Sequence, residues 1–522
     1  MHGRAHHLKR RENEASERPA APSVNTSLAK NIAIAYLACL AAFSLLLVGA
    51  FAIPHTAVHD NAKRSLATLE TEGTYARVLD SSPAWQKDNY TAALMLNIAT
   101  HGDGVGAYGA FSAFYYDDPV FADNKIASLK VGLDMEADPS NPLWVPYARY
   151  WHGWMVVFKP LLMACDLATM RIVFLVLLGV LAAALLVLLW RRIGPGALAP
   201  LVALLAVNAP VAMMSPSLAF SILLAEAACI VLVLVEGRSN TRKAQVAGMH
   251  ARFAVTFFVF GAITVYLDLL CTPLLTLGLP LALHFALNRE GIQGGSGLGR
   301  ALGGLLGLSA AWGAGYALLW VSKWLLSTII CGWDVLGNAQ MSAAIRTSTE
   351  ALGAQHTALG AIRGNLETWL PFGALVALGV AWLMLFVLAV VATQRSGKPG
   401  HWTAFFAVLA CGLLPLAWFA VLLNHSWTHA WFTYRELAIS LNALLLALWV
   451  LVPAGARLRQ ARPAQHASAP AGAGNARTTY SEPVPRGQAV SGRQRSQSLV
   501  YLQDDYFTDY DDYNSYVDDE EE

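Results

Sequence analysis

The chain has 522 residues, 56% of them hydrophobic and 14% charged, and its formal net charge is +1. A mean hydropathy of +0.44 with apolar runs of membrane-crossing length reads as an all-α polytopic membrane protein and excludes a soluble single domain. The nearly balanced charge gives no sign of a nucleic-acid partner.

The head, 1–31, is polar and basic (Arg4, Lys9, Arg10, Arg11, Arg18, Lys30) and reads as disordered and cytoplasmic. The first apolar run lacks a cleavage pattern and is expected to stay as an uncleaved span. About ten transmembrane helices follow from hydropathy: 32–53, 170–190, 197–214, 218–236, 253–267, 270–287, 301–323, 370–392, 402–423 and 436–455. The break inside 253–287 rests on Asp268 and Pro273. A single kinked helix there would invert everything after it.

Basic residues recur in every second connection, at Arg191 and Arg192, at Arg238, Arg242, Lys243 and Arg252, at Arg289 and Arg300, at Arg395 and Lys398, and after the last span. That alternation predicts a multi-pass plasma-membrane protein with both termini cytoplasmic. The membrane domain is therefore 32–455. Its first loop, 54–169, faces outward, and from Pro54 to Tyr150 it carries twelve acidic against seven basic residues. A loop of that length is where function concentrates.

Within the loop, WQKDNYTAALMLNIA places Asp88 at the start of a helix, where an aspartate caps free N–H groups. Asp60 follows the first span, and Asp117 and Asp118 lie in YYDDP. A carboxylate here can take a proton from an acceptor hydroxyl or hold a divalent metal ion against a sugar phosphate. The pairs His55/His59 and His425/His429 have the i, i+4 spacing of helix-borne metal ligands, but no third ligand is assignable and no metal residue is named. GDGVGAYG follows no strand pattern and reads as a turn.

VPYARYWHGWMVVFKPLL, from Val145 to Leu162, precedes the second span. At about 100° per residue, His152, Val156 and Lys159 fall within roughly 80° of Arg149, with Tyr150, Trp154 and Phe158 opposite. One interfacial helix is predicted, its aromatic side in the headgroup boundary and its cations free for membrane lipids or a lipid phosphate. Within or beside the spans, Glu226 deep in one, Lys323 near an outer end and Asp268 at the predicted outer turn are ionisable and so functional candidates. Six cysteines lie mostly in or beside apolar runs, without a disulfide pattern. The end, 456–522, turns to Pro, Ala, Gly, Ser and Arg and then to DDYFTDYDDYNSYVDDEEE, a predicted disordered cytoplasmic tail.

KDNYTAALMLN, YARYWHGWMVVFKPLL, VYLDLLCTPLLTLGLPL, GYALLWVSKW and WFTYREL are similar to pieces of a group of bacterial multi-pass proteins, and the layout of one span, a long acidic outer loop and a helical bundle resembles the C-type (GT-C-like) glycosyltransferases. The resemblance implies a sugar moved from a polyprenyl-phosphate donor to a glycan or other envelope acceptor, with Asp88 as the first choice of reacting acid and Asp60 the second. It implies substrate contacts from Asn89, Tyr147, Arg149, Tyr150, Trp151, His152, Lys159, Asp268, Lys323, Tyr434 and Arg435. Ala92 stands where relatives often carry a second acid after D-N-x-T, which weakens a metal-bridged version. The rival expectations are a transporter or lipid flippase, with Glu226, Asp268 and Lys323 between helices, and a scaffold displaying the acidic tail.

Overall fold

A computed structural model describes residues 24–453 except 80–81, 103–104, 122–123, 137, 238–247, 293–295 and 352–353. The tail at 456–522, most of the basic head, part of the GDGVGAYG turn, and the basic residues Arg238, Arg242 and Lys243 lie outside the described residues. The rest is almost wholly helical, joined by two short antiparallel ribbons. The chain is an all-α polytopic membrane protein.

Among the described residues seven helical segments are long and apolar enough to cross a membrane: Ser27–Phe51, Leu167–Ala206, Pro216–Gly237, Gly297–Cys331, Phe372–Arg395, Trp402–Val421 and Ala430–Leu451. The second contains the expected span 170–190 and the first part of the expected span 197–214. Leu167–Ile193 ends at Gly194, whose φ of +52° suits only glycine readily, and Leu198–Ala206 packs against Leu437–Leu451. The pair Ala251–Leu267 and Leu275–Leu287 is two helices rather than one kinked helix, because Asp268 to Leu274 form a turn with Leu270 at φ +65°.

Glycines set the closest helix crossing. A Cβ at Gly261 would collide with the Trp312 carbonyl, and one at Gly315 with the Phe258 carbonyl, so the backbones of Gly248–Leu267 and Gly297–Cys331 touch directly. Small residues permit such an approach where lipid provides no hydrophobic drive between helices. Gly297–Cys331 has 35 residues, about 52 Å at 1.5 Å per residue, well beyond the roughly 30 Å hydrocarbon core. Its far end meets the first loop, where Lys323 Nζ donates to the Phe111 carbonyl at 2.7 Å and to Ser327 Oγ at 3.0 Å.

The first loop is folded. Helices His59–Glu72, Asn89–Ala99, Gly106–Ser112, Lys125–Gly132 and Met155–Ala164 surround a ribbon in which Tyr115 pairs with Val145 and Tyr116 with Trp144. Ala92, Ala93, Met95, Leu96 and Leu129 are fully buried between these elements. Asp117 is buried in a pair with Lys125 and accepts from Ser128 Oγ at 2.8 Å.

The stretch from Val145 to Leu162 corrects one expectation. Only Met155–Ala164 is helical; residues 146–154 form turns, and His152 has φ +54°. The predicted cationic face of a single helix therefore does not exist, and Tyr150, Trp151, Trp154 and Phe158 are buried in protein instead of facing the headgroup boundary. Trp151 meets Phe43 and Tyr266 edge to face, and its Nε1 donates to the Leu319 carbonyl at 2.7 Å. A Cβ at Gly153 would enter the Tyr266 ring. Aromatic packing thus overrides helical period here.

Candidate functional site

Asp88 is the N-cap of Asn89–Ala99, as its sequence position predicts: Thr91 N donates to Oδ1 at 3.0 Å. Its other contacts come from the start of Pro216–Gly237, where Ser217 Oγ donates to Oδ2 at 2.8 Å and Ser215 Oγ accepts from the Asp88 amide at 2.7 Å. Proline at the first helical position fixes that turn, so the two flanking serines face the loop together. Asp88 is 2% exposed. Burial pushes its pKa above the ordinary aspartate range, against the hydrogen bonds from Thr91 and Ser217 and the positive charge of Arg435.

Arg435 arrives from the other end of the chain. Its Nη2 and the Tyr434 hydroxyl both donate to the Ala84 carbonyl at 3.2 Å, in the short turn just before Asp88. Asn208, at φ +58°, donates to the same Tyr434 hydroxyl at 3.1 Å. Arg435 is fully buried, its Nη1 donates to the Trp431 carbonyl at 3.2 Å, and its Nε has no partner. A buried guanidinium held by carbonyls, with one N–H unused and an aspartate within electrostatic reach, is a preorganised seat for an anionic group.

Two more carboxylates border this centre at the Asp268–Leu274 turn. Asp268 Oδ1 accepts from Ser221 Oγ and from the Cys271 amide at 3.3 Å, while Oδ2 has no partner. Burial pushes the Asp268 carboxyl up to about 6, against those hydrogen bonds. Glu436 Oε1 accepts from Leu274 N at 2.9 Å and its Oε2 also lacks a partner. Cys271 lies within electrostatic reach of Asp88, Asp268 and Arg435.

Other candidates lie apart or are already engaged. The Asp60 side chain is 88% exposed and pairs with His59 at 3.5 Å. Asn89 is saturated, donating to Glu72 Oε2 at 3.0 Å and to the Gly73 carbonyl at 2.7 Å, and accepting from Arg171. Arg149 lies over the Tyr147 and Tyr150 rings, 4.9 and 5.9 Å from their centroids, and reaches Asn338 at 3.4 Å. Its carbonyl accepts from Trp320 and Trp324. Burial lowers the His152 pKa to about 3, opposed by the bond to the Tyr147 carbonyl at 2.7 Å, so the ring is neutral with its proton on Nε2. It is a hydrogen-bonding group rather than the cation the sequence reading made it. Lys159 is buried beside the Phe51 ring.

His55 and His59 stack, with His59 bound to Asp134 at 2.9 Å, and His425 Nε2 donates to the Leu270 carbonyl at 3.0 Å. Among the described residues no three His, Cys, Asp or Glu side chains come together to hold a metal ion, and all six cysteines are free thiols.

Sequence reading missed Glu72, Arg171, Ser215, Ser217, Ser221 and Glu436. The available signals were slight: an arginine one turn into a span, and serines bracketing Pro216 in SPSLAFS. Comparison of the chain with family models, with curated proteins and with solved structures gave no match.

Proposed function

We propose that the chain is a membrane glycosyltransferase that moves a sugar from a polyprenyl-phosphate donor to an extracytoplasmic envelope acceptor. The observation that carries this reading is the burial of Asp88 within electrostatic reach of Arg435, whose Nε is unused. An acceptor hydroxyl attacks the anomeric carbon and its proton passes to the Asp88 carboxylate. The bond from that carbon to the phosphate oxygen breaks, and polyprenyl phosphate departs with its charge held by Arg435. Ser217 and Thr91 keep the carboxylate oriented, and a raised pKa makes it a stronger base than an exposed aspartate.

The test is mass spectrometry of envelope glycans and lipid-linked sugars in cells carrying Asp88→Asn or Arg435→Lys. The transferase reading expects the glycan to disappear and the unused lipid donor to accumulate, with the protein inserted at normal levels. Normal glycans in both variants would end it. A carrier reading draws on Glu226, which is 1% exposed with Oε2 unpartnered inside a span. Loss of donor flipping in Glu226→Gln, with Asp88→Asn unaffected, would favour that reading.

A further inference from the structure

Arg171 has no place in the proposed transfer step, yet its three hydrogen bonds go to both sides of Asp88. Nη2 donates to Asn89 Oδ1 at 2.8 Å, holding the residue directly after Asp88. Nε donates to the Met214 carbonyl at 2.7 Å, holding the residue directly before Ser215. Nη1 donates to Glu72 Oε1 at 2.8 Å, and Glu72 in turn takes Lys87, the residue before Asp88, at 2.7 Å and Asn89 at 3.0 Å. The guanidinium is 6% exposed and sits one turn into Leu167–Ile193, a rigid helix.

We propose that Arg171 is the positioning residue of Asp88, one planar cation that fixes the peptide carrying the carboxylate and the serine turn that grips it in a single register. Three donors in a fixed fork can set the relative place of two backbone segments, whereas an ammonium bound at Glu72 cannot reach all three acceptors at once. The ion pair with Glu72 supplies the charge compensation that lets the guanidinium stay buried. Lose the fork and the Ser217 and Thr91 hydrogen bonds to Asp88 loosen. Those bonds stabilise its ionised form, so Asp88 should become harder to ionise. The charged and titratable groups around Asp88 are Lys87 and Glu72 beside its peptide, Arg171, Arg435 and Cys271, with Asp268 on Ser221 one turn along the serine helix.

The inference rests on reading Asp88 as the reacting carboxylate, but its test needs no substrate. The full chain in lipid nanodiscs is titrated by infrared difference spectroscopy, and the Asp88 carboxyl band is identified by its loss in Asp88→Asn. Arg171→Lys keeps the charge and Asn89→Ala keeps the Arg171 to Glu72 pair. Each should raise the Asp88 midpoint by about one pH unit while the protein stays folded. A midpoint unchanged from wild type in either folded variant overturns the clamp, because a merely stabilising arginine would lower the melting temperature and leave the band where it was. An upward shift in these variants together with normal envelope glycans in Asp88→Asn keeps the clamp and removes the transferase reading.

Discussion

Asp88 and the Val145–Lys159 stretch are both rich in chemistry, and the structure treats them in opposite ways. Around Asp88 the partners come from four distant segments, near residues 72, 171, 215 and 435, and meet through directional bonds to backbone and hydroxyl groups. Along Val145–Lys159 Arg149 and Tyr147 are half-buried and the other charged and aromatic groups are sunk into a packed core, with Trp151 at 0% exposure and His152 kept neutral. The first region fixes its ionisable groups in orientation through partners from across the chain; the second spends its polar atoms on holding packed aromatic groups in place. A cluster of reactive residue types in the sequence is therefore weaker evidence of a site than one acid whose environment is assembled from the whole fold.

Breaking the first region should cost activity, and breaking the second should cost stability. Asp88→Ala is expected to reduce transfer by on the order of 10²–10⁴-fold, the range for loss of a positioned proton acceptor, with insertion preserved. It is measured as glycan per unit of membrane protein. Arg435→Lys keeps a charge but loses the planar fork, and a drop of roughly 10²-fold is expected. Trp151→Ala should destabilise by about 3–5 kcal/mol through the cavity it leaves, read as a lowered melting temperature in detergent, with residual transfer per folded molecule near wild type. If Trp151→Ala abolished transfer at unchanged stability, the contrast between the regions would fail.

Acid sharpens the comparison. Burial opposes the charge of Glu72, but hydrogen bonds from Arg171, Lys87 and Asn89 and the Arg171 charge outweigh it, so its pKa lies below the ordinary glutamate value. Its stabilising contribution is complete above about pH 4.3, the unfolded value, and is lost as pH falls below that through the folded value. Thermal scans from pH 6 to 3 should show wild type losing stability in that window and Glu72→Gln, already weakened, losing less. The smallest effect belongs to Asp60→Asn, expected within about 0.5 kcal/mol of wild type and with unchanged glycans, because its carboxylate is in water.

The membrane class was legible because apolar runs of span length need no tertiary information, and so was the Asp88 cap, since capping is decided within four residues. Arg191 and Arg192 mark the break in hydropathy, and just after them Gly194, at φ +52°, turns the chain between Leu167–Ile193 and Leu198–Ala206. Arg435 was visible as a candidate, but its approach to Asp88 depends on Ala84 accepting from both Tyr434 and Arg435, a contact 350 residues apart in sequence for Tyr434. Arg171 was overlooked because an arginine near a span end usually snorkels, and only the fold shows its three partners. The helical period failed at Val145–Leu162 because the backbone leaves helical geometry at His152, φ +54°, where the adjoining Gly153 packs against the Tyr266 ring, a contact that no window of local sequence contains.

The electrostatic coupling of Asp88 to Arg435 is tested most directly by a double-mutant cycle on the purified chain, comparing the stabilities of Asp88→Asn, Arg435→Met and the double variant. Groups that share one buried site should couple by roughly 0.5–3 kcal/mol, the double variant being less damaged than the sum of the singles. Strict additivity would mean that the two charges do not feel each other, and would contradict the site.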